Sequence, residues 1–277
     1  MGDAAQRAAV LGQPIAHSLS PVLHSAAYAA LGLHGWKYEA IECDEAGLPG
    51  LLGSLGPDWA GLSLTMPLKR AVLPLLDGAQ PLVGQVGAAN TVVLGPAGRQ
   101  GFNTDVPGMI TALAQAGVTG ARDALILGSG ATACSALAAL AGIGARQAAV
   151  AVRDPATAGP LLEVAGRLGV TARLIPFGED PGASARHLLI STVPSGAADT
   201  YAERIASGTL APRALLDVVY HPWPTRLAAA AQQAGLTTAG GFELLLHQAT
   251  AQVRLMTGRE APVAAMRAAG LAALARR

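Results

Sequence analysis

The chain has 277 residues, 51% of them hydrophobic and 13% charged, which is enough apolar material for two modest domains and excludes a disordered chain. A formal net charge of +1, with basic residues scattered, leaves no footprint for nucleic acid or a membrane surface. Cys43 and Cys134 are too few for a secreted disulfide framework, and neither they nor the six histidines show metal-ligand spacing.

In chain order, residues 1–7 carry no apolar stretch of the signal-peptide kind, so a cytoplasmic protein is expected. Residues 8–11, closed by Gly12, read as a first buried strand. Residues 21–31 read as a helix, with Pro21 in its first turn, Ser20 as its cap and Gly32 after its end. Strands follow at 36–41, 61–65 and 90–94, with a short helical segment at 48–55. The middle of the chain repeats the alternation: strands at 124–127, 148–152, 172–175, 188–191 and 215–218, with helical stretches between most of them. Residues 242–256 and 264–275 close the chain as helices. The fold class is therefore α/β with two domains. The first is an N-terminal α/β domain, to which the C-terminal helices return. The second is a Rossmann-type, doubly wound dinucleotide-binding domain. The division expected is 1–105 with 241–277 against 106–240, with Gly240-Gly241 as the hinge.

Residues 124–145 contain no charge and could pass for a membrane helix. A strand, a glycine turn and a buried helix give the same pattern, because the apolar run stops at Gly128-Ser129-Gly130 before it resumes. That turn, Gly128, Ser129, Gly130, Ala131, Thr132, Ala133, opens a helix after a strand, within a unit of the length that dinucleotide binding needs. Glycines there let the backbone approach a pyrophosphate, and the helix start offers N–H groups and a positive dipole end. Arg153-Asp154 ends the second strand of this unit. Asp154 would bind a ribose hydroxyl in NAD, whereas Arg153 would accept the 2′-phosphate of NADP. Asp154 also suits a helix cap before Pro155, which frees Arg153 and favours NADP, with NAD the alternative.

Polar clusters stand where a core-forming chain would use apolar residues: His17 to Ser20, Thr65 to Lys69, Asn90-Thr91 and Asn103 to Asp105. Each alone suits a turn. Together they supply hydroxyl, amide, acid and ammonium groups fit for a polyhydroxylated acid.

These motifs, in order and spacing, resemble the shikimate dehydrogenase (shikimate/quinate dehydrogenase) family over nearly the whole chain. They are Gln13 to Pro21 with His24, Gly61 to Lys69, Gly87 to Thr91, Gly101 to Asp105, Gly128 to Ala133, Asp217 to Tyr220 with Pro222 and Thr225, and Gln248 after Gly241. The resemblance implies an NADPH-dependent enzyme that reduces 3-dehydroshikimate to shikimate, a step of aromatic amino acid and chorismate biosynthesis. It implies Lys69 and Asp105 as the catalytic pair. Ser18, Ser20 and Tyr220 would hold the substrate carboxylate, and Thr65, Asn90, Asp105 and Gln248 the ring hydroxyls. The Gly128–Ala133 turn, Arg153 and Gly241 would lie on the cofactor. No nucleic-acid or membrane partner is expected, and the protein would act as a monomer or homodimer. Ser63 stands where the family usually has Asn, Val193 where it has Thr, Leu244 where Met is common, and Thr157 where a second Arg often helps. The alternatives are an NAD-dependent quinate/shikimate dehydrogenase and a non-catalytic shikimate-binding paralogue. A methylenetetrahydrofolate dehydrogenase shares a related plan, but the paired serines and the Asn-Thr-Asp run argue against it.

Overall fold

The computed structural model describes residues 5–182 and 187–277, so residues 1–4 of the N-terminal segment lie outside it. The chain forms two compact units. One holds the described residues up to Thr104 together with Gln248–Arg277, and the other is Asp105–His247.

Among the described residues, the first unit is built on a six-stranded sheet of order β2-β1-β3-β5-β6-β4. The strands are β1 Gln6–Gly12, β2 Trp36–Glu42, β3 Trp59–Leu64, β4 Gly78–Ala79, β5 Thr91–Gly95 and β6 Gly98–Phe102. β1 runs parallel to β2 and β3, and β5 then turns antiparallel to β3. Successive β1 side chains point to opposite faces. Ala8 and Val10 join one apolar cluster with Tyr28, Tyr38 and Met256, while Ala9 and Leu11 join another with Leu48, Leu62, Leu68 and Val92. Both faces are thus buried, which is why β1 reads as an unbroken apolar run. Helices α1 Ser20–Ala30, α2 Leu48–Ser54, α3 Leu68–Ala71 and α4 Pro81–Val86 connect the strands. β4 and β6 escape an apolar-pattern reading, because the Gly98–Phe102 stretch is mostly Gly and polar.

The second unit carries β7 Asp123–Leu127, β8 Gln147–Val152, β9 Thr171–Pro176, β10 Leu188–Ser191, β11 Ala214–Asp217 and β12 Thr237–Gly240. All pair in parallel, in the order β12-β11-β10-β7-β8-β9. The order reverses between β7 and β10, the switch point of a doubly wound sheet, where ligands bind beyond the carboxyl ends of the strands. Helices α5 Asp105–Gln115, α6 Ala131–Gly142, α7 Gly159–Leu168, α8 Asp199–Ala206 and α9 Arg226–Gln233 lie between or before these strands. The uncharged segment 124–145 is β7, a glycine turn and α6, with Leu125, Ile126 and Leu127 fully buried. The chain ends in α10 Gly241–Thr257 and α11 Val263–Leu274. The division between the units falls within α10, and α11 packs on α1.

Candidate active site

In the first unit the expected residues gather where β1 and β3 end and β5 begins. Backbone bonds fix this edge. The Thr65 N–H donates to the Leu11 carbonyl at 2.9 Å, the Gln13 N–H to Met66 at 3.0 Å, and the Leu64 N–H to Asn90 at 2.8 Å. Lys69, half-buried on the four-residue α3, accepts a bond from the Ala89 N–H at 2.9 Å through its carbonyl. The segment bearing Lys69 is thereby tied to the one bearing Asn90.

The expectation that Ser20 caps α1 needs correction. Ser20 does not cap α1; it is the helix's first residue, and Leu19 holds the cap position without a side-chain bond. The Ser18 hydroxyl accepts from the Ser20 N–H at 3.2 Å. Ser20 itself is buried. The reason is position: a hydroxyl two residues ahead reaches that N–H, while Ser20 is already inside the helix.

Asn90 is the centre of a buried polar group. Its Oδ1 accepts from the Thr104 N–H at 2.7 Å and from the Thr91 hydroxyl at 3.0 Å. Its Nδ2 faces Thr104 Oγ1 at 2.9 Å and Gln248 Oε1 at 3.5 Å. Asn103 braces the same turn by donating to the Ala88 carbonyl at 3.0 Å. One helical turn beyond Gln248 lies Gln252, 1% exposed. Gln252 Oε1 accepts from Ser63 Oγ at 2.9 Å, Ser63 accepts from the Tyr38 hydroxyl at 2.6 Å, and His24 Nε2 stands 3.3 Å from the same Oε1. Burial pushes the His24 imidazole down to about 3, with the Gln252 bond opposing it, and pushes both Tyr28 and Tyr38 up.

In the second unit, Gly128 follows β7 with a φ of +103°, a conformation that side chains rarely adopt. A Cβ there would also stand 2.8 Å from Thr192 Oγ1, and that hydroxyl is held by the Leu127 carbonyl at 2.7 Å. Gly130 precedes α6, adds no side-chain cap, and faces open space where a Cβ would be. Ser129, Ala131 and Thr132 are part-exposed, whereas Ala133 is buried, where a small residue allows close helix–strand packing. A turn of this shape at the switch point fits a pyrophosphate.

Asp154 Oδ1 accepts from the Ala156 N–H at 2.9 Å and so caps the short helix Pro155–Ala158. Arg153 beside it is exposed. Asp105 opens α5, buried, at the dipole end that favours an anion. Tyr220 lies on a loop anchored by Asp217, whose Oδ2 accepts from Thr225 Oγ1 at 2.6 Å and whose Oδ1 accepts from the Val219 N–H at 3.2 Å. Burial raises the Asp217 pKa against these bonds. Gly241, at the start of α10, packs so closely on Val218 that a Cβ would collide with its carbonyl.

Two family profiles match the chain: the shikimate dehydrogenase substrate binding domain over residues 10–92, and the shikimate 5′-dehydrogenase C-terminal domain over residues 241–269. A curated relative, the shikimate dehydrogenase (NADP(+)) of Moorella thermoacetica, is 34% identical over 93% of this chain and 90% of its own length. The chain belongs to the shikimate dehydrogenase family. The crystal structure of Mycobacterium tuberculosis shikimate dehydrogenase is 45% identical, with a TM-score of 0.86 over 96% of this chain and 99% of that one. A shikimate dehydrogenase of Thermus thermophilus, solved in complex with NADP(H) and shikimate, is 34% identical, with a TM-score of 0.81 over 97% and 100% of the two chains.

Within this shikimate dehydrogenase fold, sequence reasoning missed Gln252 and Tyr38. The signal for Gln252 was its place four residues after Gln248 on one helix face. Tyr38 gave none, since a tyrosine in a half-buried strand is ordinary. Ser63, a noted departure from the family pattern, is accounted for: it bridges the two.

Proposed function

We propose that this chain catalyses the reversible NADPH-dependent reduction of 3-dehydroshikimate to shikimate, in the cytoplasm, as a monomer or homodimer. The observation that carries this reading is the buried cluster of Asn90, Thr104 and Gln248 beside the backbone-tied Lys69. Amide and hydroxyl groups so placed in an apolar unit match the hydroxyls of a cyclic acid. On this reading Thr65, Asn90, Asp105 and Gln248 bind ring oxygens, and Ser18, Ser20 and Tyr220 the carboxylate.

The turn Gly128 to Ala133, Arg153 and Gly241 would hold NADP, and the capping bond that occupies Asp154 supports Arg153 as the 2′-phosphate contact. When bound, the nicotinamide supplies the hydride. Lys69 then does two things at the ketone oxygen: its ammonium stabilises the charge that develops there, and it delivers the proton. Asp105 is the other member of the proposed catalytic pair. In the reverse direction Lys69 takes the hydroxyl proton.

The test is nicotinamide absorbance during turnover of purified protein with shikimate or quinate, each with NADP or NAD. Fast reduction with shikimate and NADP is expected, and Arg153→Ala should raise the KM for NADP while sparing that for NAD. Preference for NAD, or equal use of quinate, would move the chain to the broader quinate/shikimate class. Failure of every combination from folded protein would leave a shikimate-binding protein without turnover.

A further inference from the structure

Two amides in the first unit have orientations that their neighbours decide. The Thr104 N–H can only donate, so the atom it meets at 2.7 Å must be Asn90 Oδ1, and Nδ2 must point toward Gln248. The Asn90 carbonyl can only accept, so the Gln252 atom 3.4 Å away must be Nε2. Gln252 Nε2 also donates to Thr91 Oγ1 at 3.0 Å. With that lone pair engaged, the Thr91 hydroxyl proton goes to Asn90 Oδ1 at 3.0 Å. The other end of Gln252 is held by Ser63 Oγ at 2.9 Å and faces His24 Nε2 at 3.3 Å.

We propose that Gln252 is a positioning residue for shikimate. Through Thr91 it reinforces the hydrogen-bond polarity that the Thr104 N–H gives Asn90, so that Asn90 presents an N–H donor, and not a carbonyl, to a ring hydroxyl of the substrate. This rests on the reading of Asn90 as a substrate contact. The chemistry is directional: a group at 252 that could only accept would turn the Thr91 hydroxyl toward itself, and Asn90 Oδ1 would lose the Thr91 donor and rest on Thr104 alone.

Gln252→Glu is the near-isosteric test. It keeps an acceptor for Ser63 and removes the donor to Thr91 and to the Asn90 carbonyl. Thr91→Val removes the relay at almost constant shape, and carries the test by itself should Gln252→Glu not fold. The measurement is steady-state kinetics of the full chain with shikimate and NADP, on both single variants and the double variant. Each single variant is expected to raise the KM for shikimate about tenfold, the scale of one misdirected hydrogen bond. The KM for NADP should not move and kcat should stay within about twofold, and the double variant should be no worse than either single one, as for residues acting in series. Shikimate and NADP KM values rising together, multiplicative single effects, or an unchanged shikimate KM in folded variants would each overturn the proposal. A wild-type protein inert toward shikimate would overturn the functional reading, and this proposal with it. An active wild type with unaltered variants would overturn this proposal alone.

Discussion

His24 is fully buried, its ring stacked on Tyr38 at a centroid distance of 3.9 Å, and its Nδ1 has no hydrogen-bond partner. The imidazole is held neutral, its pKa lowered from 6.5 to about 3. The unfolded chain takes up that proton near pH 6.5, and the folded chain takes it only near 3. The associated stability is therefore complete above pH 6.5 and is lost progressively as pH falls toward 3. This group should contribute a loss of about 2 kcal/mol between pH 7 and pH 5, at ~1.4 kcal/mol per unit. Urea midpoints at the two pH values check it, and a His24→Phe variant with the same acid sensitivity as wild type would contradict it. Lys69 is a different kind of residue, since its role is in turnover. Lys69→Ala should lower kcat by at least ~10²-fold while shikimate still binds, measured by titration, because it removes the proton donor and not the ring contacts. The candidate residues were legible one by one in the sequence, because hydroxyl and amide groups in apolar surroundings stand out. Their partners were not: Ser20 was read as the helix cap, whereas the Ser18 hydroxyl is the one that accepts from the Ser20 N–H, since which hydroxyl reaches an N–H depends on a single turn of backbone.

At the scale of elements, two glycines separate packing from binding. Gly241 lies against the Val218 carbonyl, so Gly241→Ala forces α10 away from the loop after β11. A loss of about 1–3 kcal/mol is expected by denaturant titration, as for overpacked sites. Gly130 faces open space with a φ of −72°, which alanine also adopts. Gly130→Ala should leave the thermal midpoint unchanged and raise the KM for NADP, since its methyl would stand where the pyrophosphate is proposed to approach. A drop in the midpoint with normal NADP kinetics would reverse that assignment. Strands with apolar runs, such as β1, β7 and β10, were visible in the sequence. β6 and β12 were not, because their pairing comes from neighbours already in the sheet and not from an apolar pattern of their own.

For the whole molecule, the proposed function assigns the cofactor to Asp105–His247 and most substrate contacts to the other unit. Ligands that bind the native state slow exchange where they bind. Hydrogen exchange with NADP should slow most at the turn after β7 and the end of β8, and shikimate should slow it most around Thr65 and Asn90. Shikimate protection confined to the second unit would contradict the division of roles.

Apolar runs and glycine punctuation, which are local properties, determined the α/β class and the parallel cofactor-type sheet, and the resemblance to the family supplied the candidate site residues. The tertiary structure alone decided which polar groups meet: Gln252 with Thr91, Tyr38 with Ser63, Asp217 with Thr225. Those pairings join positions far apart in the chain, or across a loop, and hydrogen-bond direction depends on atoms brought within about 3 Å, which no local pattern encodes.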